Sequence, residues 1–261
     1  MRNQNTSLQS ETGNLISKKP VWGPWSTAWF GLVVGIVFLV TQILVAIAYY
    51  AIKVTSDSTS NPLQFAQSLL TDGLLIALAT FASTIICIGL IIIIVKVRKS
   101  STVAEYLGFR RLNGKTILAL LAITAGVIVV SGLLTLILGK PRPEFMVDIY
   151  NRGTGLIYFW IAVVIFAPAF EETFFRGFLF EGFKHSRIGI SGTIAVTAFV
   201  WALLHIGQYG AYEIATIFVL GIVLGIVRYK TGSLWSPLIV HAFSNLIATL
   251  EVALYINGLV S

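Results

Sequence analysis

Long apolar runs separated by short polar breaks organise most of this sequence. A helix needs roughly 20 apolar residues to cross a bilayer. Runs of about that size cover 29–50, 74–95 and 116–138, begin again near 156, and continue at 188–204, at 214–227 with its flanks, and at 234–255. The pattern predicts an all-α, polytopic transmembrane helix bundle of about seven spans. The first 28 residues are mostly polar and carry no cleavable signal pattern, because the run after them is itself long enough to span. They read as a disordered or surface-lying cytoplasmic tail. Trp22, Trp25 and Trp29 stand near its end as interface anchors. The chain thus divides into the tail at 1–28, a first set of transmembrane helices at 29–153 and a second membrane region at 154–257.

The fourth run continues apolar to about position 183, too far for one simple crossing, and Pro168 interrupts it. Proline removes a backbone donor and kinks or breaks a helix. A broken helix is expected near Pro168, with Glu171 and Glu172 opening its second piece. Such breaks are tolerated in membranes where they are buried in protein or line a cavity.

Charge sets the topology. Lys96, Arg98, Lys99, Arg110, Arg111 and Lys115 fill the second loop, Lys184 and Arg187 the fourth, and Arg228 and Lys230 the sixth. The first and fifth loops carry little positive charge. The alternation predicts a cytoplasmic N-terminus, seven crossings and an outside C-terminus. An eighth crossing, or a re-entrant piece near Pro168, would reverse the C-terminus.

Composition narrows the class. Only 11% of the 261 residues are charged, and mean hydropathy is +0.87. That profile excludes an ordinary soluble domain. The net charge of +7 sits in loops that orient spans, so it points to no nucleic acid. Cys87 is the sole cysteine and lies mid-span, which excludes a disulfide framework. Gly31/Gly35 and Gly221/Gly225 have spacing that permits close helix contact. No internal repeat is visible. A compact chain of this kind suits a prokaryotic plasma membrane.

The candidate chemistry is intramembrane. A charge at membrane depth costs about 2.5–3.5 kcal/mol on insertion scales, so acids there are functional candidates. Glu171-Glu172-Thr-Phe-Phe-Arg176 places two acids and a guanidinium in an apolar segment. Adjacent helical residues diverge by about 100°, which argues that the two acids face different partners. Glu172 and Arg176 are four apart and share a face, so Arg176 is expected to neutralise Glu172. That leaves Glu171 toward a cavity as a general base for water. His205 closes Trp201-Ala-Leu-Leu-His205, with Trp201 on the same face. His241-Ala-Phe-Ser-Asn245 puts two polar groups on one face of the last span. That pair could hold a metal or donate hydrogen bonds to an oxyanion. Counted along ideal helices, Glu171 and His205 lie deeper than His241, by more than hydrogen-bond reach.

Taken in order, EETFFR, WALLH and HAFSN fit EExxxR, aromatic-xxx-H and HxxxN. The set resembles the CPBP family of intramembrane proteases, the CAAX-protease and bacteriocin-processing family also called Abi. The resemblance covers about 166–246, with Trp201 where the family usually has phenylalanine. It implies a peptide-bond hydrolase acting inside the bilayer on a membrane-associated substrate, a prenylated CAAX protein or a leader peptide among others. Glu171 and His205 would activate water, His241 and Asn245 would stabilise the oxyanion, and Glu172 and Arg176 would organise the site. The family is labelled metalloprotease, and Glu171, His205 and His241 could hold a divalent ion such as zinc with an open position. A metal-independent mechanism is equally compatible, and no HExxH is present.

Three rivals stand beside this. Gly189-Ile-Ser191-Gly192 matches the GxSG of rhomboid-type serine proteases, but that reading leaves the Glu pair unexplained. A presenilin-like aspartyl enzyme is excluded, since Asp57, Asp72 and Asp148 lie outside the spans. A non-enzyme reading makes the same residues a proton or solute path, or makes the chain a membrane scaffold or immunity protein.

Overall fold

A computed structural model of the chain describes residues 21–54, 62–98 and 100–259. The described residues form α1 (Pro24–Val54), α2 (Pro62–Leu69), α3 (Gly73–Val97), α4 (Val103–Leu107), α5 (Gly114–Ile137), α6 (Glu144–Arg152), α7 (Leu156–Phe183), α8 (Gly189–Leu203), α9 (Ala211–Thr231) and α10 (Trp235–Ile256). No strand occurs among them. Six of these helices are long and apolar enough to cross a membrane: α1, α3, α5, α7, α9 and α10. The chain is an all-α, multi-pass membrane bundle. The seventh expected span, α8, has only 15 residues. At 1.5 Å per residue it rises about 22 Å, short of a hydrocarbon core about 30 Å thick.

Helix ends follow local chemistry. Asp72 caps α3 by accepting from the amides of Leu74 and Leu75. Thr102 and Glu105 form a reciprocal capping box on α4, and Asn113 caps α5. α1 begins at Pro24, earlier than position 29, because proline is tolerated in the first helical turn. The expected tail therefore shrinks toward its first 20 residues, which lie outside the described residues. Trp22 is no interface anchor. It is buried, edge-on to Phe30 and covered by the Arg98 guanidinium 4.7 Å from its ring. Trp25 and Trp29 are 87% and 64% exposed, as anchors would be.

α7 is the axis of the bundle. It packs against α1, α3, α4, α8, α9 and α10, while α1 lies along α3 and α8 along α9. α5 rests mainly on α10. Exposed apolar residues form a stripe along α1, through Leu32, Ile36, Leu39, Ile43 and Ile47. Their spacing is that of one helix face, which lipid would cover. The Gly221/Gly225 spacing is used inside the molecule. A Cβ at Gly221 would stand 2.9 Å from Ala198 Cβ, and one at Gly225 2.8 Å from Ile194 Cγ2. Only glycine lets α8 and α9 approach this closely.

The alternating helices collect the basic breaks at one end. There Arg98 donates to the Val21 carbonyl, Ser233 to the Arg110 carbonyl, and the Leu234 amide to the Gly108 carbonyl. At the other end Tyr49 meets Asp72, Lys140 covers Tyr212, and Arg142 lies over Tyr255. Lys99 and Asp57 are outside the described residues. Arg228 is not a loop residue. It lies within α9, buried, and donates to the carbonyls of Arg176 and Leu107.

Candidate active site

The break expected at Pro168 takes an unusual form. α7 runs without a gap, but two stretches of it are π-helical, Ala162–Phe166 and Glu172–Leu179, on either side of the α-helical Ala167–Glu171. A π turn widens the backbone ladder to i→i+5 and is found mostly at functional sites. Pro168 has no N–H to give, and the wider ladder on its N-terminal side accommodates the loss. Glu172 opens the second π segment.

Glu172 and Arg176 have no exposed side-chain surface and pair at 3.0 Å. An ion pair this deep needs further hydrogen bonds to be tolerated. Arg176 also donates to the Gly221 carbonyl of α9 at 3.0 Å, and its guanidinium lies over the Trp201 ring at 4.8 Å. His241 Nδ1 lies 2.8 Å from the same Glu172 oxygen that binds Arg176. A carboxylate there accepts an Nδ1–H, which fixes the ring and its tautomer. The free edge of the imidazole, Nε2, then lies 3.9 Å from Glu171 Oε2.

Glu171 and Glu172 therefore do share a partner. Diverging by about 100° does not separate them, because they straddle one imidazole and meet opposite edges of it. The expected gap in depth between Glu171 and His241 narrows to 3.9 Å, within ion-pair range and still just beyond hydrogen-bond reach. The two π segments of α7 depart from the straight α-helical rise on which that depth rests.

Glu171 is 20% exposed, unlike Glu172. Its Oε2 accepts from Trp201 Nε1. Its other oxygen has no protein partner among the described residues. Trp201 is the residue that sequence reasoning undervalued. It was legible as an aromatic one turn before a histidine, but its N–H donor had no assigned acceptor. Its ring also stands edge-on to both His205 and His241, at 5.2 Å each.

His205 follows α8, in the 204–210 connection. Its Nδ1 is 2.9 Å from the Trp201 carbonyl, an acceptor that calls for an Nδ1–H and leaves Nε2 with its lone pair. It neighbours the site through Trp201 and Tyr209, whose ring is 6.1 Å away, rather than by direct contact with Glu171. Asn245 is one turn beyond His241. Its amide nitrogen donates to the Val163 carbonyl of α7 at 2.9 Å.

The donor set does not fit a three-ligand metal site. Among the described residues no three His, Cys, Asp or Glu side chains gather as a metal needs, so Glu171, His205 and His241 do not converge. Ser191, the nucleophile of the rhomboid reading, is exposed at the start of α8. It lies ten residues, or about 15 Å along a helix, from Trp201.

Comparison with known proteins bears on the same region. Residues 153–247 match the family model for type II CAAX prenyl endopeptidases, Rce1-like. An uncharacterized 24.3 kDa protein of Escherichia coli is 27% identical over 110 residues, 40% of this chain and 49% of that protein. The chain thus spans about half the length of this curated relative. No solved structure matches. The matched segment, a little over a third of the chain, holds all three ordered motifs, from Glu171 to Asn245, and in it the chain is similar to the Rce1-like type II CAAX prenyl endopeptidases.

Proposed function

We propose that this protein is an intramembrane endopeptidase that hydrolyses a peptide bond in a membrane-associated peptide or protein. The observation that carries the reading is the straddled imidazole: His241 held by Glu172 at Nδ1 and facing Glu171 at Nε2. Glu171 is the partly open member and has an oxygen free to accept from water. Water attacks the scissile carbonyl carbon, and its proton goes to Glu171. The carbonyl electron pair moves to oxygen, and a protonated His241 Nε2 donates to that oxyanion. Collapse breaks the C–N bond, and Glu171 returns the proton to the leaving amine. Glu172 and Arg176 hold His241. His205 Nε2 is an acceptor available to the same water. No step is routed through a metal.

The protein acts from a multi-pass position in the plasma membrane, with the N-terminus and the basic end cytoplasmic. That side would receive a prenylated CAAX substrate. Purified protein in nanodiscs, given a farnesylated CAAX peptide, its unprenylated twin and a panel of leader peptides, tests both activity and class. Product masses should show one new carboxylate in the preferred class. Glu171→Gln should lower the rate at least about 100-fold, the lower end of general-base contributions. Chelator arms report on metal dependence. Equal background turnover by both proteins on every peptide would favour a scaffold or proton path instead.

A further inference from the structure

We propose that Tyr209 is a further substrate-binding residue, whose phenol hydroxyl donates a hydrogen bond to a backbone carbonyl of the peptide beside the scissile bond. The inference rests on the proposed protease reading and names a part of its substrate site.

The turn after α8 builds the position. The Gln208 and Tyr209 amides both reach back to the His205 carbonyl, at 3.2 and 3.3 Å. Gly207 stands inside that turn at φ +95°, a conformation that glycine adopts without strain. The turn brings Tyr209 beside His205, with ring centres 6.1 Å apart. His205 in turn lies 5.2 Å from Trp201, whose indole N–H meets Glu171. Phe145 of α6 stands edge-on to Tyr209 at 5.9 Å. A contiguous series of rings thus leads from the Glu171 carboxylate to α6. Trp201 is buried and the three later rings are half-buried, so the series opens with distance from the base.

The donors along it are unequal. The Trp201 N–H is spent on Glu171, and the Nδ1 atoms of His205 and His241 lie on the Trp201 carbonyl and on Glu172. Other phenols toward this end of the bundle are also committed: Tyr49 to Asp72, Tyr150 to the Thr249 carbonyl and Tyr212 with Thr135. The Tyr209 hydroxyl has no hydrogen-bond partner among the described residues, and its oxygen keeps accessible surface. Burial, then the carboxylates of Glu171 and Glu213, push this phenol up to about 12, so it remains an O–H donor. An extended peptide presents unpaired carbonyls, alternate ones roughly 6.6 Å apart. That spacing is close to the step from His205 to Tyr209. With His205 beside the attacking water, Tyr209 meets a carbonyl about two residues from the one attacked.

The test uses full-length protein in nanodiscs with Glu171→Gln, so that binding is read without cleavage. The probes are the labelled farnesylated CAAX peptide and the leader peptides of the panel. Tyr209→Phe keeps the ring contacts and removes only the hydroxyl. It should weaken binding about three- to tenfold, the range of one neutral hydrogen bond, with an unchanged unfolding midpoint. Tyr212→Phe, whose hydroxyl meets Thr135, should bind as the parent does. An alkene replacing one peptide amide, two residues to either side of the scissile bond, should cost the parent a similar factor at one position and cost the Tyr209→Phe variant nothing more there. With Glu171 restored, Tyr209→Phe should raise KM by the same factor and change kcat by less than about threefold. Equal binding with and without the hydroxyl, no peptide bound by either protein, or alkene losses that simply multiply at both positions overturn the proposal. So does a kcat that falls at unchanged KM. Hydroxyl-dependent binding with no turnover by the Glu171 protein sinks the protease reading alone.

Discussion

Arg176 is a guanidinium without solvent, and its neighbours explain how the fold tolerates it. Glu172 supplies opposite charge, Gly221 a carbonyl and Trp201 a ring face. Removing one member of such a pair leaves a buried charge uncompensated, at a cost of about 3–5 kcal/mol, whereas replacing both is far milder. Arg176→Met should therefore unfold at markedly lower temperature than Glu172→Gln/Arg176→Met, by calorimetry or scanning fluorimetry. The reverse order would mean that the pair is not what holds α7. Trp201→Phe keeps the ring contacts and removes the N–H on Glu171. A hydrogen bond to a charged group contributes about 1.5–3 kcal/mol to stability, so the unfolding midpoint should fall, and kcat should fall with it as Glu171 loses the donor that fixes it. An unchanged kcat would remove Trp201 from the base. At this scale the sequence is half legible. The four-residue spacing of Glu172 and Arg176 reveals their pairing, because helical geometry fixes it. The Trp201–Glu171 bond joins residues 30 apart on two helices, and no local rule anticipates it.

α7 and the α8–α9 pair decide where those residues sit. The apolar periods located every long helix, and Pro168 marked the disturbed one. What the pattern could not reveal is that the disturbance is a pair of π segments in a continuous helix. Apolar residues satisfy α and π windings alike. The depth expected for Glu171 relative to His241 assumes an α rise throughout, which the π segments do not keep. The pattern also hid Arg228 at the end of an apolar run, where a buried arginine looks like the first residue of a loop. The close packing of α8 on α9 carries its own prediction. Gly221→Val would push its side chain into Ala198 and Trp201. Overpacking of this kind costs about 1–3 kcal/mol. The displaced Trp201 should also reduce kcat, so activity and unfolding midpoint should fall together. Full activity with a lowered midpoint would show that Trp201 can be moved freely.

Across the whole molecule, charge and hydropathy were the most legible signals. The helices alternate between a basic end and an opposite end, and this order follows from run lengths alone. α8 is the exception, too short to span by itself, and His205 lies in the 204–210 connection that follows it. Orientation is testable in a Cys87→Ser background, since Cys87 is buried and leaves no useful label site. His185→Cys and Lys140→Cys should react with an impermeant maleimide from opposite sides of sealed cells or inverted vesicles. Labelling from the same side would contradict seven crossings. The central claim is that Glu171, facing an imidazole held by Glu172, activates water for peptide hydrolysis. The most direct measurement is single-turnover cleavage of a substrate identified in the peptide panel, comparing wild type with Glu171→Gln, each verified as folded. The account predicts a new carboxylate carrying one oxygen from labelled water, formed by wild type and lost in Glu171→Gln. Cleavage by Glu171→Gln at the wild-type rate would contradict it.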